Sequence, residues 1–347
     1  MRRHAFIALQ STTVRQPTTV LMRRRRFLAV AGAAASAAFP AYAQPAGATR
    51  HIAVLLGAAE SDQIGQSGIR KFREALRELN WIEGRNLRID LRWGGGDLAR
   101  IRVQAAELVS LAPEVLFSTN TPPTRALQQA TRTIPIVFAV VSDPVGDGFV
   151  ASLSKPGGNI TGFSNMDAAM AGKWMQLLKE ITPGLQRIAV IYNPETAPHS
   201  VFLPALEAAA ALLGVTLVRA AVREPAAIDA TIAALAGNAS LAVMPDVFTT
   251  LNRTAIIAAA ARHRVPAVYP FAYLAVEGGL LSYGPDSADQ YWRAAAYVDR
   301  VLKGAKPADL PVQAPAKFDF VVNLKTARAQ GIALPPTILA AADEVIE

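Results

Sequence analysis

The feature that most constrains this chain is an alternation of short apolar runs with longer amphipathic stretches, played through twice. His51-Ile52-Ala53-Val54-Leu55-Leu56-Gly57 is a continuous apolar run closed by Gly, the pattern of a strand covered on both faces. Ile69, Phe72, Leu76 and Leu79 then recur at helical spacing among charged residues. Residues 87–93 alternate as a strand and end in Gly94-Gly95-Gly96, after which Asp97 is placed to cap a helix running to about Leu111. Strands are predicted over 115–118 and 134–141, with a helix between them opened by Thr121-Pro122-Pro123. The pattern restarts with a helix over 168–181 and continues through strands at 187–192, 215–222, 241–244 and 266–269. Short strands separated by helices form parallel sheets with right-handed crossovers. The fold class expected is therefore α/β, with two Rossmann-like parallel-sheet lobes.

The remaining elements continue neither unit simply. A strand at 280–283, a helix at 288–302 and a strand at 317–322 imply that the chain passes back between the lobes. The first crossing is expected at Gly157-Gly158-Asn159 through Gly162, the second near Gly278-Gly279, and the third around 307–315. Three crossings side by side make a hinge. The division expected is 50–160 with 280–305 for one lobe, and 163–277 with 310–347 for the other.

Charge excludes one class of partner. The formal net charge is +8 over 347 residues. Residues 1–43 hold seven arginines and no acidic residue, so the remainder carries about +1. A nearly neutral body with interspersed signs offers no basic face for nucleic acid. The absence of Cys excludes disulfides, Cys-ligated zinc and a lipid-modified N-terminal cysteine.

The N-terminal segment reads as an address. Arg23-Arg24-Arg25-Arg26-Phe27-Leu28 precedes a short apolar stretch over 29–39, and Ala41-Tyr42-Ala43 supplies a small-x-small cleavage site. The apolar run is about half of the roughly 20 residues that a membrane-spanning helix needs. An export signal over 1–43, twin-arginine-like and cleaved after Ala43, is expected, with Met22 fitting as its start. The mature protein is expected in the periplasm, as an untethered monomer.

Ligands of open α/β sheets sit beyond the carboxyl ends of the strands. That rule selects Ser118, Thr119, Asn120, Thr121 and Asp143 in the first lobe, and Asn193, Asp246 and Phe271 in the second. Residues 118–121 join a strand to a helix start, where N–H groups and the helix dipole favour an anion; the same hydroxyls could simply cap the helix. Asp246 suits a ligand ammonium or a helix cap. Asp143 and Asn193 each precede Pro and could hold turns. Tyr283, with Phe271, could wall a pocket for a flat ring.

Catalysis has no visible constellation. No two histidines share metal-ligand spacing, Gly65-Gln66-Ser67-Gly68-Ile69 lacks the last Gly of a nucleophile elbow, and no phosphate-binding glycine motif occurs. A binding protein without cofactor or metal is expected, not an enzyme.

Several ordered stretches resemble one family, the ABC-transporter substrate-binding proteins of the tryptophan/tyrosine type. They include Trp81-Ile82-Glu83-Gly84-Arg85-Asn86, Ser142-Asp143-Pro144-Val145, and Leu153-Ser154-Lys155-Pro156-Gly157-Gly158-Asn159-Ile160-Thr161-Gly162. Gly278-Gly279-Leu280-Leu281-Ser282-Tyr283-Gly284, Gly304-Ala305-Lys306-Pro307 and Pro335-Pro336-Thr337-Ile338-Leu339-Ala340 continue the series. The resemblance spans residues 23–347 and implies a type I periplasmic-binding fold, three crossings, an amino-acid-like ligand held by hinge closure, and delivery to an ABC permease with its ATPase. A ligand-sensing module of a receptor system would share this fold, and an exported enzyme is the remoter alternative.

Overall fold

The computed structural model describes residues 49–347 apart from Ala168, Pro198 and Asn238. The export signal expected in 1–43 lies outside the described residues. Among the described residues, no helix is long and apolar enough to cross a membrane.

The first half contains β1 (Arg50–Leu56), α1 (Gln63–Glu78), β2 (Leu87–Trp93), α2 (Leu98–Ser110), β3 (Val115–Thr119), α3 (Thr121–Ala130), β4 (Ile136–Val141) and β5 (Ile160–Ser164). Then follow α4 (Ala169–Ile181), β6 (Arg187–Tyr192), α5 (His199–Leu213), β7 (Thr216–Ala221), α6 (Ile228–Ala233), β8 (Ser240–Val243), α7 (Val247–Leu251), α8 (Arg253–Arg262), β9 (Ala267–Tyr269) and α9 (Ala272–Val276). The chain closes with β10 (Leu281–Pro285), α10 (Ser287–Leu302), β11 (Phe318–Asn323), α11 (Leu324–Gln330), α12 (Pro336–Ala341) and β12 (Glu344–Ile346).

Two sheets result. The first runs β2-β1-β3-β4-β5, and every pair in it is parallel. The second runs β12-β11-β10-β9-β8-β6-β7. It is parallel except where β11 reverses against β10, the one departure from the expected parallel sheets. Helices cover both faces of each sheet, which explains the uninterrupted apolar strands. In β1, Ile52, Val54 and Leu56 enter one cluster with α1 and α10, while Ala53 and Leu55 enter another with α2 and α3. Phe72 of α1 stacks on Phe117 of β3 at 4.2 Å between ring centres. Asp62 caps α1, accepting from Ile64 and Gly65 N–H, and Asp97 caps α2 in the same manner.

The crossings fall elsewhere than expected. Gly157-Gly158 is a turn inside the first lobe, because Ile160–Ser164 goes on to pair with β4 as the sheet edge. The chain leaves this lobe at 165–167 and enters α4, which packs on the second sheet. Leu281–Pro285, expected with the first lobe, lies inside the second sheet between β9 and β11; the return crossing is Asp286, directly before α10. Gly278-Gly279 only leads into β10. The last crossing occupies 314–317, since Gln313 N–H still bonds to Gly162 O and Ser164 N–H to Gln313 O in the first lobe. Lys317 pins the second and third crossings together: its ammonium lies 3.1 Å from Asp286 and its carbonyl accepts from Asp286 N–H.

Candidate ligand cleft

Both sheets aim the carboxyl ends of their strands at one another across the hinge. In the first sheet the order reverses between β1 and β3, and in the second between β6 and β8, so these ends frame crevices. Between the lobes lies a narrow chamber of about 20 Å³. Asn120, Thr121, Pro122, Val140 and Ser142 line it from the first lobe; Thr196, Asp246, Val247, Thr250 and Phe271 face them, and Asn165 enters from the first crossing.

Of the nine residues selected from sequence, the structure brings Asn120, Thr121, Asp246 and Phe271 together here. The other five satisfy themselves elsewhere. The buried Ser118 hydroxyl pairs with Thr124 Oγ1 at 2.8 Å, and Thr119 hydrogen-bonds Tyr291. Asp143 Oδ1 accepts Gly146 N–H at 2.7 Å and so holds its turn. Asn193 Oδ1 accepts Glu195 N–H at 2.8 Å. Tyr283 stacks on Phe318 and packs into the core of the second lobe. A buried polar group must find a partner, and a residue next to a loop finds it in that loop before any ligand arrives.

The helix start at Thr121 also differs from the expectation of a donor-rich anion site. Pro122 and Pro123 occupy its first turn and carry no N–H. The donors that this helix start offers are therefore side-chain groups more than helix N–H groups.

Asp246 performs the cap and borders the chamber at once. Its Oδ1 accepts Thr249 N–H at 2.9 Å and the Thr196 hydroxyl at 3.2 Å, and Oδ2 accepts Asn193 N–H at 3.4 Å. Thr249 returns a side-chain contact to Asp246 N–H, completing a capping box. Burial pushes the Asp246 carboxyl up to about 6, against the lowering effect of these hydrogen bonds. Phe271 stacks on Tyr273 with ring centres 5.7 Å apart, and also borders a second cavity of about 200 Å³ beside Asp286 and Tyr291.

Two chamber residues have unusual backbones. Asn120 has φ +70° and Val140 φ +58°, the latter uncommon for a β-branched residue. Val140 forms a bulge where β4 shifts register against β5, and its N–H donates to Gln290 Oε1 of α10 at 3.0 Å. Such strain collects where a site requires it. Asn165 was not selected from sequence. It is 2% exposed, and its buried Oδ1 has no hydrogen-bond partner.

The model of the ABC transporter substrate binding protein family matches residues 49–346. The chain belongs to this family. It is an ABC transporter substrate-binding protein. It is 27% identical over 259 residues to a tyrosine-binding protein of Clostridioides difficile (strain R20291), covering 74% of each chain. A conserved domain protein of Vibrio cholerae is similar in structure with a TM-score of 0.81 and 30% identity, over 86% of this chain and 99% of that one. The ABC domain from Streptococcus pneumonia in complex with L-Trp reaches TM-score 0.81 at 26% identity, over 86% of this chain and all of that one. The expected two-lobed α/β fold agrees with both solved structures.

Proposed function

We propose that this protein collects an amino acid with an aromatic side chain in the periplasm and presents it to the permease and ATPase of an ABC importer, after export and cleavage of its first 43 residues. The supporting observation is the chemistry gathered in the chamber. One carboxylate, Asp246, borders it from the second lobe as the counter-charge for an ammonium; the Ser142 hydroxyl and the Asn120 amide suit a carboxylate; Phe271 offers a ring face. As it stands the chamber holds about 20 Å³, well below the roughly 300–1,000 Å³ of small-molecule sites, so the lobes must part to admit an amino acid. The relatives named for tyrosine and solved with tryptophan favour the same class.

Function follows from geometry as a clamp. A ligand touching both lobes binds the closed form better than the open one and so shifts the population toward closure. Residues 44–347 should therefore gain thermal stability from tryptophan, tyrosine or phenylalanine. A ligand at about 100 times its Kd adds about 2.7 kcal/mol, a rise of several degrees in Tm. A shift with sugars or nucleosides alone would replace the ligand class and keep the clamp.

A further inference from the structure

Asn165 differs from the chamber residues that already have partners. Thr121 donates to Asp147, Thr196 donates to Asp246, Thr250 bonds Tyr273, and Asp246 accepts from Thr249, Thr196 and Asn193. The Asn165 backbone N–H is bonded, to Val141 O at 3.1 Å, so the residue is fixed in position. Its side chain is not: Oδ1 is buried and unpartnered, and it borders the chamber. Leaving a buried amide oxygen without a donor is costly, and the structure places that cost where a ligand would sit.

The position says which part of the ligand it meets. Asp246 supplies the counter-charge for an ammonium from the second lobe. Asn165 leaves the first lobe on the crossing, and Phe271 forms the wall toward the cavity that holds the Pro285–Ala288 crossing residues. Asn165 and Phe271 line the same chamber, so a ring laid against Phe271 shares that space with the Asn165 amide. We propose that Asn165 is the residue that selects, among aromatic amino acids, those whose ring carries a hydrogen-bond donor, accepting the indole N–H or phenol O–H at Oδ1. This rests on the amino-acid reading of the chamber. Gln290 Nε2 is also buried and unpartnered, but it is not among the residues lining the chamber and is occupied through Oε1 with Val140.

A site that hydrogen-bonds a ligand group rejects an analogue lacking it, because its own polar atom is then stranded. The test measures Kd by calorimetry for tryptophan, tyrosine and phenylalanine on the full mature protein and on Asn165→Ala and Asn165→Leu, together with the Tm of each without ligand. The unaltered protein should prefer tryptophan or tyrosine over phenylalanine by about tenfold or more, and both variants should lose that preference. Their ligand-free Tm should stay level or rise, since an unpartnered buried amide has been removed. A preference unchanged by the substitutions overturns the assignment, as does an equal loss for all three ligands, which would put Asn165 on the shared ammonium or carboxylate. A fall in ligand-free Tm with affinities intact would make Asn165 structural and overturn it too. If the unaltered protein binds none of the three, the amino-acid reading itself fails, and this inference with it.

Discussion

Arg253 of the second lobe places its Nη1 2.8 Å from Asp62 Oδ2 of the first, and among the described residues this is the one ion pair joining the lobes across the cleft. Both ends are anchored. Asp62 uses its other oxygen to cap α1, and Arg253 is also paired with Glu277 at 2.8 Å and donates to the Thr250 carbonyl at 3.0 Å beside the chamber. The pair is sheltered, with side chains 16% and 7% exposed. It exists only when the lobes are together, so it acts on the closed state alone. Asp62→Asn keeps the cap acceptor and removes the charge. We expect ligand affinity to fall roughly five- to thirtyfold, about 1–2 kcal/mol, with ligand-free Tm nearly unchanged. Calorimetry beside small-angle scattering would check this, the scattering showing a more open ligand-free form.

The proposed ammonium contact with Asp246 predicts a pH dependence of binding. Burial raises its folded-state value to about 6 from the ordinary 3.8. The folded protein therefore holds a proton that the unfolded chain has lost between about pH 4 and 6. Within that window this residue's contribution to stability falls as pH rises, and above pH 6 its charged form costs the fold about 3 kcal/mol. An arriving ammonium needs the charged form, so affinity should move the opposite way. Binding should be full at pH 7.5 and weaken progressively below 6. Asp246→Asn should flatten the profile and leave affinity low throughout; calorimetry at five pH values would read both effects.

Gly284, near the end of β10, is required by a close backbone approach. A Cβ there would lie 1.8 Å from the Pro270 carbonyl oxygen, which immediately precedes Phe271 of the chamber wall. The neighbour is backbone and cannot step aside. Gly284→Ala should destabilise the protein by about 1–3 kcal/mol and lower ligand affinity as Phe271 is displaced. Denaturant unfolding and binding on the same sample would show both losses.

The central strands were legible because both of their faces are covered, so runs such as Ile52 to Leu56 needed no partner to declare themselves; the edge strands Ile160–Ser164 and Glu344–Ile346 were not. The crossings were not. Glycine pairs mark tight turns of any kind: Gly157-Gly158 turns within the first lobe, and Gly279 is small because a Cβ would meet the Leu274 carbonyl oxygen at 2.7 Å. The true crossings at 165–167, 286 and 314–317 share no composition. In the cleft, Asn120, Thr121, Asp246 and Phe271 could be found because strand ends point there by topology. Val140 and Asn165 could not, because the bulge that turns one and the crossing that carries the other depend on the register of β4 against β5. Ser118 and Asp143 lay at correct strand ends but had nearer partners, which spacing alone does not disclose.

Trp81 separates family likeness from ligand recognition. It opens the stretch Trp81 to Asn86, one of the clearest marks of the resemblance, yet it lies far along the chain from every chamber residue and serves packing. Its Nε1 donates to Asp299 Oδ1 of α10 at 2.8 Å, while Asn86 Oδ1 accepts Ile82 N–H at 2.7 Å to close the turn behind it. The bond ties the turn after α1 to α10, the helix that the second crossing delivers to the first lobe. Trp81→Phe keeps most of the ring and removes the donor. Asp299 retains Lys303 at 2.7 Å, so the loss is partial, about 1–2 kcal/mol of stability for a hydrogen bond to a charged group. Affinity for the aromatic amino acids should stay within about twofold, since no chamber residue shifts. A Tm that drops while Kd holds would mark this motif as scaffold; a matching loss of affinity would mean that α10 transmits strain to the chamber through Gln290 and Val140.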